Sequence, residues 1–353
     1  MSKTPAVLVC DARTSNLEVA GLTVLDRLVV TVHRAGCSPI FVVCETAPAL
    51  VRAQAMGIAT TTVQDIPKSE GAALLITGGV VVEPLDLARV IQAGGQLIAG
   101  DGSPLPVAMN GSGRQPVTAL GMACAVTDAA SAREAERKLW ASLTSSADGL
   151  VDRFFNRPLG RPLSKLLVHT SVSPNQVSVV SILIGVASAW FFASGSFVLG
   201  ALVLQLSAVI DCVDGDLARV LCKQSRVGKW LDLGGDQVVH FSVFATIGIG
   251  VSSLDPSVPA LALGLSAALG VLLSFAVIVR ALRQPVAQRG PLLNKLLDAT
   301  ANRDFSVVLL LLAIFGRMDL FLWMAGIGVH VFWIALLLLH GGRVTSGMSR
   351  EPA

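Results

Sequence analysis

Hydrophobic and polar positions change their rhythm near residue 147. From Ala6, short β-rich apolar runs alternate with amphipathic stretches: AVLVCDA, GLTVLDRLVVTVHRAG, SPIFVVCE, PALVRAQAMG, ATTTV, ALLITGGVVVE, LDLARVIQAGG and QLIAGD. Strand and helix alternating at this interval predict a parallel, three-layer α/β domain over 1–147, closed by a helix over Ser131–Ser146. From Val177 the pattern becomes a series of long apolar runs, each near the roughly 20 residues that a bilayer-spanning helix needs. Six spans are predicted, near 177–194, 197–220, 235–253, 258–280, 305–316 and 319–340. They form an all-α membrane domain over 177–342, followed by a tail, 343–353. Short links between the spans favour helical hairpins.

The segment joining the two halves, 148–176, is basic and apolar together. Arg153, Arg157, Arg161 and Lys165 recur every fourth residue, with Phe154, Phe155, Leu159, Leu163 and Leu166 interleaved. That pattern suits a helix lying in the membrane interface, with a solvated hinge as the plainer alternative. Pro158 and Pro162 predict that such a helix is broken or kinked.

Composition agrees with this division: of 353 residues 53% are hydrophobic and only 14% charged, too apolar for an ordinary soluble protein. The net charge of +3 carries no nucleic-acid signal, because the basic residues follow the membrane topology. Lys223, Arg226 and Lys229 fall in a predicted loop near 221–230, and Arg280, Arg283, Arg289, Lys295 and Arg303 in another. Both loops lie on one side, so the excess of positive charge places both termini in the cytoplasm of a bacterial-type inner or plasma membrane. No basic segment with an apolar core and cleavage site opens the chain, which is expected to begin in the cytosol. Cys10, Cys37, Cys44, Cys124, Cys212 and Cys222 show no C-x-x-C spacing and read as buried free thiols.

Candidate chemistry is concentrated in DCVDGDLARVLCKQSRVGKWLDLGGDQ. On a helix Asp211 and Asp214 share one face, as do Asp232 and Asp236. Two such helices side by side would converge four carboxylates, which repel unless cations neutralise them. All-oxygen ligation favours a hard ion such as Mg²⁺ or Mn²⁺, one or two of them, and such ions favour phosphate chemistry. Gly215 and Ala218 open a notch on the same face as Asp211 and Asp214, and Arg219 can fork onto phosphate oxygens. The plainer reading is a helix-end charge cluster with Lys223, Arg226 and Lys229. Ionisable groups in an apolar membrane stretch argue against it.

The same residues resemble the CDP-alcohol phosphotransferase signature, D-x-x-D-G-x-x-A-R, eight residues, G-x-x-x-D-x-x-x-D, with every position filled from Asp211 to Asp236. The resemblance implies that Asp211, Asp214 and Asp232 bind metal, with Asp236 sharing a metal or acting as general base. It implies further that Gly215, Ala218 and Gly228 shape the CDP pocket, that Arg219 holds the diphosphate, and that Pro174 and Asn175 open the first span near the nucleotide. Homodimerisation is expected on the same ground.

The N-terminal half looks like the sugar-nucleotide and cytidylyl transferase fold, a Rossmann-type, nucleotidyltransferase-like domain, with eroded chemistry. Where that family carries a glycine-rich loop, this chain reads Asp11-Ala12-Arg13-Thr14-Ser15-Asn16, and Gly79 stands where a metal-binding aspartate is expected. A non-catalytic domain is therefore expected; Asp11 and Asp101 are the residues that could still carry catalysis, with turn or cap roles as the plainer reading. The basic linker, the SPNQ start, GKWLD, NRDFSVVLLLL and HVFWIALLLL resemble the di-myo-inositol phosphate phosphate synthase branch. The expected activity is transfer of a phosphoalcohol group from a CDP-alcohol to an alcohol or phosphorylated polyol, with release of CMP. Arg280, Arg283 and Arg303 are candidates for holding a phosphorylated acceptor, while His240 reads as structural. Two alternatives stand beside this: a phospholipid synthase using CDP-diacylglycerol, and a transporter with an intramembrane cation site.

Overall fold

The computed structural model describes residues 4–45, 48–67, 71–111, 115–144, 148–284, 289–299 and 305–348. It divides into two compact units, Met1–Thr144 with Ala218–Lys223, and Ser145–Leu217 with Gln224–Ala353.

In the first unit the chain runs β1 (Ala6–Val9), α1 (Ala12–Ser15), β2 (Glu18–Val19), β3 (Leu22–Thr23), α2 (Val24–Arg34), β4 (Ile40–Val43), α3 (Val51–Ala55) and β5 (Thr60–Val63). It continues through β6 (Leu74–Ile76), β7 (Gly79–Val82), α4 (Pro84–Ala93), β8 (Gln96–Ile98), β9 (Pro104–Met109), β10 (Pro116–Thr118), β11 (Ala123–Val126) and α5 (Ala129–Ser142). Seven strands form one sheet in the order β10-β8-β9-β6-β1-β4-β5, with Ala6 opposite Ile40 on one side and Leu74 on the other. Leu8, Val42, Leu74 and Ile76 from its centre are buried with Val29 and Leu87 from α2 and α4.

The sheet departs from the expected parallel arrangement. β9 runs antiparallel to both β6 and β8. The link from Ile98 to Pro104 is too short for a parallel crossover, which needs a dozen or more residues, and so it reverses the chain. Asp101 stabilises that reversal, its carboxylate accepting from the Ser103 amide at 2.9 Å and hydroxyl at 2.6 Å. β7 and β11 form a separate antiparallel pair in which Gly79 faces Val126.

The second unit opens with a π-helical turn, Asp152–Asn156, running into α6 (Arg157–Leu167). The chain is not broken at the prolines: Pro158 comes just after the π-helical turn, and the helix continues through Pro162. The bundle follows as α7 (Pro174–Ala193), α8 (Phe197–Val220), α9 (Arg226–Leu254), α10 (Ala260–Leu282), α11 (Pro291–Ala299), α12 (Phe305–Ile314) and α13 (Met318–Met348). Phe192, Leu204, Ile247, Leu309 and Leu322 are fully buried in its core.

Among the described residues five helices, not six, are long and apolar enough to cross a membrane: α7, α8, α9, α10 and Met318–Leu339 of α13. The sixth predicted span is α12, whose 10 residues reach only about 15 Å, half of a hydrocarbon core. A second difference bears on the site. α9 begins at Arg226, capped by the Ser225 hydroxyl on the Gly228 amide at 2.9 Å, so Arg226 and Lys229 belong to its first turn and not to a loop. Hydropathy marks where a helix becomes apolar, whereas its start is set by a cap.

Candidate active site

Asp211 and Asp214 lie in the C-terminal half of α8, and Asp232 in the second turn of α9. One carboxylate oxygen from each lies within 4.8 Å of the other two. Asp214 is buried, Asp211 half-buried and Asp232 exposed, so the cluster opens outward on the Asp232 side. Three hard oxygen donors this close match the chemistry of Mg²⁺ or Mn²⁺ and not that of a thiolate or imidazole metal site. Asp236, one turn beyond Asp232 and only 7% exposed, is not one of the three.

Two serines that sequence reasoning missed hold the cluster from α7. The Ser178 hydroxyl donates to Asp214 Oδ2, and the Ser181 hydroxyl lies 3.2 Å from Asp211 Oδ1. Both serines are buried, and their i, i+3 spacing puts them on one face of an otherwise apolar helix. That spacing was the available signal. Serine is common in membrane helices, however, and only the packing of α7 on α8 distinguishes these two.

The residues expected on the nucleotide side lie at the start of α7 and on α8 and α9. Pro174 and Asn175 form the first turn of α7, behind an N-cap in which Ser173 and Gln176 exchange hydrogen bonds. Gly228 of α9 comes against Asn175: a Cβ there would stand 2.9 Å from Asn175 Oδ1 and 3.1 Å from Ser225 Oγ. Gly215 follows Asp214 directly on α8, and Ala218 and Arg219 stand one turn later.

Arg280 and Arg283 are both exposed, at and just beyond the C-terminal end of α10, and Arg303 lies outside the described residues. His240 packs among rings, stacked on Phe244 at 6.3 Å and edge-on to Phe305 at 4.9 Å. It also lines a cavity of about 430 Å³ with Gln237, Ser274 and Phe332.

Asp11 is the N-cap of α1 and accepts from the Arg13 amide at 3.0 Å. A Cβ on Gly79 would lie 2.4 Å from the Val126 carbonyl oxygen, so the β7–β11 pairing leaves no room for an aspartate there.

The molecule thus combines five helices long and apolar enough to cross a membrane with a carboxylate cluster, between α8 and α9, of a kind that could hold a cation. Residues 171–340 match the model of the CDP-alcohol phosphatidyltransferase family. Among relatives, a bifunctional IPC transferase and DIPP synthase of Thermococcus kodakarensis is 36% identical over 106 residues, 30% of this chain and 24% of that protein. An archaetidylinositol phosphate synthase of Pyrococcus horikoshii is 31% identical over 94 residues, 27% of this chain and 50% of its own length. A phosphatidylinositol phosphate synthase of Streptomyces avermitilis is 36% identical over 92 residues, 26% and 37% of the two chains. The match thus spans about a quarter of the length of the bifunctional relatives.

Proposed function

We propose that this protein is an integral membrane transferase that moves a phosphoalcohol group from a CDP-alcohol to an acceptor hydroxyl and releases CMP. The observation that carries the reading is the convergence of Asp211, Asp214 and Asp232 within 4.8 Å, inside the fully occupied family motif. These three would hold one or two divalent cations, Mg²⁺ or Mn²⁺, which when bound neutralise diphosphate charge. Ser178 and Ser181 keep the Asp214 and Asp211 carboxylates aimed. Gly215, Ala218, Gly228, Pro174 and Asn175 form the nucleotide side, and Arg219 pairs with the diphosphate. Asp236 takes the proton of the acceptor hydroxyl as its oxygen bonds to the β-phosphorus and the bond to the CMP oxygen breaks.

Inositol-type substrates are favoured, because two of the relatives are named archaetidylinositol phosphate synthase and phosphatidylinositol phosphate synthase. α10 returns its C-terminus to the end of the bundle where α9 begins, which brings Arg280 and Arg283 to the same end as Asp232 and supports them, with Arg303, as holders of a phosphorylated acceptor. Positive charge at that end also supports a cytoplasmic site and N-terminus. The π-helical turn and α6 would lie in the interface, with Phe154, Leu159 and Leu166 exposed. The N-terminal domain would be a nucleotidyltransferase-like, three-layer domain without catalysis, and the working form a homodimer.

The reading is tested by CMP release from the purified full chain with Mg²⁺ or Mn²⁺. CDP-inositol plus inositol phosphate is compared with CDP-diacylglycerol plus the same acceptor. Release with CDP-inositol is the expected result; release with the lipid donor alone makes the protein a phospholipid synthase. Silence with both donors in a folded, Mn²⁺-binding protein overturns the inositol assignment, and cation movement without CMP would instead support a transporter.

A further inference from the structure

α8 carries a second polar face, opposite the carboxylate cluster. Asp216 follows Asp214 by two residues, about 200° around the helix, and it occupies an unspecified position of the motif. Its side chain is 1% exposed, yet it is charged and held by three donors from α6. Arg157 Nη1 donates at 2.8 Å, Arg161 Nε at 3.1 Å and the Ser164 hydroxyl at 3.4 Å. Arg157 is itself fixed by a second bond, from Nη2 to Asp148 at 2.8 Å. Burial alone would lower the Arg157 pKa; the Asp148 hydrogen bond and the charges of Asp148 and Asp216 overcome this and hold it above its ordinary value.

The grip extends along the same stripe of α8. The Gln205 amide donates to Asn156, and its oxygen accepts from the Ser306 hydroxyl at 2.8 Å, linking α8 to the π-helical turn and to α12. A Cβ on Gly160 would lie 2.9 Å from the Val209 carbonyl oxygen and 3.1 Å from Val213 Cγ2, so α6 and α8 are in backbone contact. Gln205, Val209, Val213 and Asp216 thus form one docking face, and Asp211 and Asp214 point elsewhere.

We propose that Asp216 is a positioning residue, whose buried ion pairs with Arg157 and Arg161 fix the rotation of α8 about its axis and so hold Asp211 and Asp214 in convergence on Asp232. The inference rests on the carboxylates being a cation site. Apolar contacts set the rotation of a helix less sharply than a directional ion pair does. A buried carboxylate between two guanidinium groups has one satisfied geometry and a large penalty elsewhere. A small rotation of α8 would part the oxygens of Asp211 and Asp214 from that of Asp232.

The test is Mn²⁺ affinity of the purified full chain in detergent, read by the electron paramagnetic resonance signal of free Mn²⁺, with no turnover required. Arg161→Gln separates positioning from electrostatics by sign. Removing a positive charge near a cation site tightens cation binding if charge alone matters. If Arg161 positions α8, binding weakens, and a loss of about tenfold is expected from the range for residues that orient metal ligands. Asp216→Asn weakens binding at least as much, and Asp216→Glu restores part of it. Gln205→Leu, three turns away on the same docking face, lowers the melting temperature and leaves Mn²⁺ affinity within about twofold. Unchanged or tighter binding in Arg161→Gln overturns the proposal, as does an equal loss in Gln205→Leu. If Asp216→Asn does not fold, Arg161→Gln still decides. Absence of Mn²⁺ binding in the unsubstituted chain defeats the cation site itself, and the inference with it.

Discussion

The Ser178 hydroxyl donates to the Asp214 carboxylate from the facing helix, α7 to α8. A carboxylate this buried needs donors when no cation is present and needs its orientation held when one is. Ser178 meets both needs, and the adjacent pair Ser181–Asp211 at 3.2 Å repeats the arrangement one turn along.

Ser178→Ala therefore removes a donor from Asp214 without changing the volume of the α7–α8 contact by more than one oxygen. About a tenfold loss in Mn²⁺ affinity is expected, within the range for ligand-orienting residues. CMP release should fall in parallel at limiting Mn²⁺ and recover in part at saturation. Loss of turnover with unchanged affinity would place Ser178 in another role.

The aspartates should separate by what each substitution removes. Asp211→Asn, Asp214→Asn and Asp232→Asn take an oxygen from the 4.8 Å cluster, and each should lose Mn²⁺ binding and CMP release together. Asp236 stands outside the cluster, so Asp236→Asn should keep Mn²⁺ binding within a few-fold while losing about 10²- to 10⁴-fold in turnover, as expected of a proton acceptor. Combined metal titration and single-turnover kinetics give the answer; joint loss of both in Asp236→Asn would make it a ligand.

Gly79→Asp would restore the acidic residue expected of an active nucleotidyltransferase at that position. Its Cβ would meet the Val126 carbonyl oxygen at 2.4 Å, and because that atom is backbone the β7–β11 ladder must open. A loss of about 1–3 kcal/mol, the range for overpacking, is expected in the thermal unfolding of the N-terminal domain. Nucleotidyl transfer should not appear. A variant of unchanged stability would show that β11 moves freely.

Cys37 is 1% exposed, and burial pushes its thiol up to about 11. Thiolate is the reactive form, and an unfolded cysteine ionises near 8.5. At pH 8 the folded protein should leave Cys37 unlabelled by iodoacetamide, and labelling should appear on denaturation or as pH approaches 11. Rapid labelling of the native protein at pH 8, located by peptide mass mapping, would contradict the burial.

The sequence by itself determined the features that rest on composition and short-range spacing. Apolar length identified the membrane half, because transfer into a bilayer depends on local composition. The separation of Asp211 from Asp214 and of Asp232 from Asp236 announced two carboxylate-bearing helices, because helical periodicity is a local property. Tertiary structure decided whatever depends on which surfaces meet. The antiparallel course of β9 follows from a short reversal, and alternation of strand and helix does not encode strand direction. α9 begins at its Ser225 cap and not where hydropathy rises. Three of the four aspartates share one 4.8 Å cluster, and Ser178, Ser181 and Asp216 take their places around α8, only through the packing of α6, α7 and α9. Serines and a lone acidic residue carry no distinctive pattern along the chain; what singles them out is the partner brought opposite each one when the helices close.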